Sequence, residues 1–177
     1  PVPGRCLSAT FSSLRRAGYA ARGFPILSAH TRSRGRSALS TLAWRDVKAD
    51  VDSMIRHFSG AQSLYDRLGS DARNWDYYST MALLHAMQSG YTSAEASLVR
   101  ILAILREDRP VGPDWHQLLI RRLAEPLDGD FARPALLSPE LAAAFLIARG
   151  FRHRAMHVYD DFNIRLFPPA LDAARTM

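Results

Sequence analysis

The segment Arg152-His153-Arg154-Ala155-Met156-His157-Val158-Tyr159 sets four residues between an arginine and a histidine, with a tyrosine two places beyond. These are the side chains that RNA cleavage without a metal would use: a fixed cation for the phosphate, an imidazole titrating near neutrality and a phenol beside it. In a chain this rich in arginine, Arg followed by His with four to six residues between them is expected about twice by chance. Arg109 and His116 form a second instance in the Pro/Gly-rich stretch Arg109-Pro110-Val111-Gly112-Pro113, and we read it as a decoy. Requiring the tyrosine as well lowers the chance expectation to roughly 0.08.

Cleaving RNA through its own 2′-hydroxyl needs one group to take that proton and another to protonate the departing 5′-oxygen. A histidine near its ordinary pKa of about 6.5 can do either. One His157 per chain leaves one of the two roles unfilled. A second copy of the chain would bring another His157, with Arg152 forks holding the phosphate and stabilising the charge that grows on its oxygens. His153 is the other candidate, since four residues place it on the same helical face as His157. Arg152 and His157 do not share a face, being about 140° apart and about 7.5 Å along the axis of a regular helix. Three routes remain open: the arginine arm curls round, the helix loosens near Asp160, or Arg152 serves the pocket of the other protomer.

The elements that must carry these residues are helices. Trp44, Val47, Val51, Met54, Ile55, Phe58, Leu64, Tyr65 and Leu68 recur at three and four residues, and Gly69 follows as a C-terminal stop. A second helix opens at Asn74 and runs through Leu105, ending before Pro110, with Tyr77, Tyr78, Met81 and Leu84 on its inward face. Gly90 within it marks a kink or a close helix contact. A third spans Asp114 to Glu125 with Trp115, Leu118, Leu119 and Leu123 inward, and residues 127–137 form a loop. Ser138-Pro139-Glu140 opens a fourth, with serine as cap, proline in the first turn and an acid against the dipole. That helix carries Leu141, Phe145, Leu146 and Phe151 and delivers the Arg152 to Tyr159 segment. Asp160-Asp161-Phe162-Asn163 breaks it, and Pro168-Pro169 opens a short last helix. No hairpin or alternating strand pattern occurs. The fold expected is all-α, an antiparallel bundle of about four to five helices.

The net charge of +6 and the pI near 10.1 belong to one end of the chain. Residues 1–45 hold 8 arginines and no acid, whereas the remainder carries 15 Lys and Arg against 17 acids, a net of −2. The organisation expected is therefore a disordered Arg/Ser-rich tail over 1–43 and a bundle domain over 44–177. An acid-free leader of this kind also resembles an organellar transit peptide, although a solvated tail is the preferred reading. A lone Cys6 fits a reducing compartment, and the cytoplasm is the expected location. The histidines do not form a His-Glu-x-x-His or similar zinc pattern, so neither metal nor cofactor is expected. No apolar run reaches the ~18 to 20 residues of a membrane span.

A helical bundle whose late helix bears these residues resembles the HEPN superfamily, and within it the HepT-like ribonuclease toxins. Arg152 matches the motif arginine, His153 the polar residue after it, His157 the histidine and Tyr159 the tyrosine. Gly90-Tyr91, Glu95 and Leu98-Val99-Arg100-Ile101-Leu102 resemble the family's second helix, and Asp114-Trp115-His116 with Leu136-Leu137-Ser138-Pro139-Glu140 resemble the approach to the motif helix. The likeness covers roughly residues 46 to 177. It implies an HEPN-like bundle that dimerises so that two motifs meet, a metal-independent endoribonuclease acting as the toxin of a toxin–antitoxin system, RNA as substrate, and an MNT-type nucleotidyltransferase as antitoxin that can add AMP to Tyr159. The alternative is a non-catalytic helical module that docks a nucleotidyltransferase. Outside the motif, His85 is read as a satisfied core histidine, His116 as a structural residue at a helix start with proximity to the motif helix left open, Tyr77 and Tyr78 as core, and Asp160 and Asp161 as facing water, the alternative being that one of them orients His157.

Overall fold

The computed structural model describes residues 29–129, 132–157 and 163–177, with side chains over 41–129, 132–153 and 163–177. Five α-helices occur among these residues and no strand: α1 (Ala29–Leu68), α2 (Tyr77–Leu105), α3 (Trp115–Ala124), α4 (Pro139–His157) and α5 (Phe167–Thr176). The all-helical bundle read from the sequence is the fold observed. The first helix starts ahead of Trp44, at Ala29, and runs unbroken across residue 44. Arg, Ala and Leu supply good helix formers there, and no proline interrupts them between Pro25 and Pro110. Residues 1–28 of the expected tail lie outside the described residues.

The turn between the two long helices is built from local hydrogen bonds. Gly69 takes the left-handed conformation (φ 70°) that a residue with a Cβ adopts only at a cost, and its N–H returns to the Tyr65 carbonyl at 2.8 Å. The Asn74 side chain donates to the Leu68 carbonyl and Trp75 Nε1 to the Gly69 carbonyl, both at 2.8 Å, so two carbonyls at this helix end find donors. Asp76 then caps α2 by accepting the Ser79 N–H at 2.6 Å, and that bond holds its carboxyl below the ordinary range.

Contacts between α1 and α2 run in opposite senses. His57 meets His85, Phe58 meets position 90, Ser53 bonds Ser93 at 3.1 Å, and Asp50 takes the Arg100 Nε at 2.7 Å. From Phe58 and position 90, through Ser53 and Ser93, to Asp50 and Arg100, one number falls as the other rises, which makes the pair antiparallel. Gly90 makes a close helix contact, and α2 is assigned as one helix through it. A Cβ there would stand 2.5 Å from Cδ1 and 3.0 Å from Cζ of the buried Phe58 ring.

The other three helices close the core over this pair. Leu119 and Leu123 of α3, Phe145 and Phe151 of α4 and Phe167 and Leu171 of α5 join Leu83, Met87, Leu98 and Leu102 in one apolar cluster. Phe167 stacks against Trp75 at 6.4 Å between ring centroids and meets Phe151 at 5.1 Å, tying α5 to both the inter-helix turn and the motif helix. Ser138 caps α4 as expected, accepting the Leu141 N–H at 3.2 Å. Arg133 fastens the loop before it. Its guanidinium donates to both Glu107 oxygens (2.5 and 3.1 Å) and to the carbonyls of Arg122, Glu125 and Pro134.

Several residues expected inside are outside. Trp44, Ile55, Leu118 and Leu146 are all more than two-fifths exposed, because the apolar stripe on each helix is wider than its neighbours cover. Tyr77 and Tyr78, 71% and 80% exposed, occupy the first turn of α2 and pack on each other instead of the core. His85 is exposed as well. Leu83, Leu84 and Met87 hold the buried face, and one further step of about 100° turns position 85 away from it.

Candidate functional site

The buried stripe of α2 runs through Met87, Tyr91, Ala94, Leu98 and Leu102, and Glu95 lies within it, only 8% exposed. A carboxylate in that position needs partners, since an unpaired buried charge is strongly disfavoured. It finds three, on three helices. The Tyr91 hydroxyl, one turn back on α2, donates to Oε1 at 3.2 Å. Nδ1 of His116, at the start of α3, makes a short hydrogen bond to the same oxygen. Nη1 of Arg152, from α4, forms an ion pair with Oε2 at 3.8 Å.

The chemistry of each group follows from that arrangement. A carboxylate only accepts, so His116 presents Nδ1–H to Glu95, and in the neutral form of the ring the lone pair is on Nε2. Burial, and then the negative charge of Glu95, push the Tyr91 phenol far above its ordinary pKa, so it stays a donor. Arg152 and Arg149 work against that shift, because both lie near the phenol on one face of α4. The Arg152 guanidinium also sits 5.7 Å from the centre of the Tyr91 ring. The Arg109 guanidinium carbon lies 3.8 Å and the His116 ring centre 3.7 Å from the centre of the Trp115 ring. Among the described residues no three His, Cys, Asp or Glu side chains are grouped so as to hold a metal ion.

A family model described as HepT-like protein matches residues 82–177, more than half of the chain and the whole of this cluster. The chain belongs to the HepT-like family. No curated protein and no solved structure matches it.

The HepT-like bundle distributes the motif residues unevenly. Arg152 is in the cluster, its side chain 30% exposed. His153 is exposed on α4. His157 is the last residue of α4, helical in backbone, so the offset of about 140° from Arg152 applies up to that point. Tyr159, Asp160 and Asp161 lie outside the described residues. Three members of the HepT-like cluster, Tyr91, Glu95 and His116, carried no site role in the sequence reading. Glu95 did leave a signal, a carboxylate four residues from a tyrosine on an otherwise apolar helix face. His116 left none that spacing could reveal. Set aside with Arg109 as a decoy, it shares the Trp115 ring with that arginine and meets the motif arginine through Glu95.

Proposed function

We propose that this HepT-like protein is a metal-independent endoribonuclease, the toxin of a toxin–antitoxin pair, working in the cytoplasm as a homodimer. Its catalytic unit is the bundle from residue 44 onward, with the basic segment 1–43 outside it. Arg152 holds the scissile phosphate, His157 serves as acid or base, His153 is the further imidazole on the same helix, and Tyr159 contacts substrate or takes AMP from an MNT-type nucleotidyltransferase antitoxin. The observation that carries this reading is the setting of Arg152. Its guanidinium is braced at one carboxylate oxygen and one aromatic face yet remains partly open, which is how an arginine is held ready for an anion.

The test is incubation of the purified protein with RNA, with and without a chelator. Cleavage that survives the chelator and disappears in His157→Ala, with helicity unchanged, is the expected result. Mass determination in solution checks the dimer. The second reading, a non-catalytic module that docks a nucleotidyltransferase, draws support from the same ion pair, because Glu95 already neutralises Arg152. That module would leave RNA intact at every protein concentration.

A further inference from the structure

Cleavage through a 2′-hydroxyl needs two proton-transfer groups, and the cluster holds an imidazole that the motif does not contain. His116 is oriented by Glu95 at Nδ1, and its side chain is 25% exposed. Its Nε2 makes no hydrogen bond to any described residue. One ring nitrogen is committed to Glu95, and a quarter of the side chain is reachable from solvent. On the other side of the same carboxylate stands Arg152. An imidazole fixed at one nitrogen by a buried carboxylate, on a side chain still partly exposed, is the arrangement of a general base. A guanidinium beside it can hold the phosphate whose neighbouring hydroxyl that base would deprotonate.

We propose that His116 is the general base of the RNA cleavage assigned above, with Glu95 as its positioning residue; the inference rests on that assignment. Nε2 of His116 takes the 2′-hydroxyl proton as the 2′-oxygen bonds to phosphorus. The bond from phosphorus to the 5′-oxygen breaks, and the 5′-oxygen takes a proton from protonated His157. The products are a 2′,3′-cyclic phosphate and a 5′-hydroxyl, and both imidazoles recover their starting forms by exchange with water.

The experiment compares wild type, His116→Ala, His116→Gln and His157→Ala on an RNA oligonucleotide and on its analogue with sulfur in place of the bridging 5′-oxygen. A thiolate leaves without being protonated, so the analogue bypasses the acid but not the base. His116→Ala is expected to lose about 10²- to 10⁴-fold on both substrates, with partial rescue by free imidazole, whereas His157→Ala recovers on the sulfur analogue. Glu95→Gln should lower kcat with little change in KM and gain nothing from imidazole. If His116→Ala and His116→Gln cleave within about threefold of wild type while His157→Ala is dead, the inference is overturned and the nuclease reading stands. Recovery of His116→Ala on the sulfur analogue makes His116 an acid and also overturns it, as does loss of helicity in both His116 variants, which marks a structural residue. Intact RNA with the wild-type protein overturns both readings together.

Discussion

Tyr91 and Glu95, one turn apart on α2 and both buried, are joined by a hydroxyl-to-carboxylate hydrogen bond of 3.2 Å. The bond turns a carboxylate that would be unfavourable on an apolar stripe into an anchor. To that anchor α3 adds His116 and α4 adds Arg152.

Tyr91→Phe keeps the ring and removes one of the donors to Glu95. The expected loss is about 1 kcal/mol in urea unfolding, seen as a lower midpoint with the slope unchanged. Glu95→Leu leaves three donors without their acceptor and is expected to cost more than Tyr91→Phe. The double variant should cost less than the sum of the singles, because both remove the same bond.

Arg152→Lys tests whether a planar fork is needed. An ammonium retains the charge near Glu95 but offers no bidentate grip on a phosphate. RNA cleavage is expected to fall at least about 10-fold while thermal stability stays within about 1 kcal/mol of wild type. Wild-type cleavage by the lysine variant would remove the phosphate clamp from Arg152.

Gly90→Ala drives a methyl into the Phe58 ring, which is itself buried. Overpacking of this kind costs about 1 to 3 kcal/mol, against a helix-propensity gain of up to about 1 kcal/mol for alanine over glycine. The net expectation is destabilisation, read as a lower melting temperature. Adding Phe58→Leu should recover part of it, and a Gly90→Ala variant as stable as wild type would show that α1 and α2 can slide apart.

The Arg133 and Glu107 pair sets an acid limit on stability. Hydrogen bonds from Arg133, set against partial burial, hold the Glu107 carboxyl below its ordinary value of 4.5. A carboxylate with a lowered folded-state pKa stabilises fully above the unfolded value and loses that contribution as pH falls through the folded one. Stability measured from pH 7 downward should therefore decline below about pH 4.5, and Glu107→Gln should flatten that limb. Arg133→Met, which removes the donor to Glu107 and to three carbonyls that water can reach, is expected to cost about 1.5 to 3 kcal/mol at neutral pH.

Helix ends were the most legible part of the fold. Gly69, Ser138 and the Pro168-Pro169 pair act at the positions read for them, because a cap, a left-handed glycine and a first-turn proline depend on neighbours within a few residues. Faces were less legible. Trp44, Ile55 and His85 stand on helices with more apolar or long side chains than one partner can cover, and which of them is left outside depends on where that partner crosses.

The motif arginine was singled out by residue types and spacing, and it lies within the residues that the family model matches. Its surroundings were not. Within the chain alone, local capping, hydrophobic period and the Arg, His and Tyr spacing determined five helices and a candidate catalytic segment. Only the tertiary structure decided that a tyrosine and a carboxylate of α2, a histidine from the start of α3 and an arginine of α4 share one site. Glu95 and His116 are 21 positions apart, and their meeting is set by how three helices cross rather than by any interval along the chain.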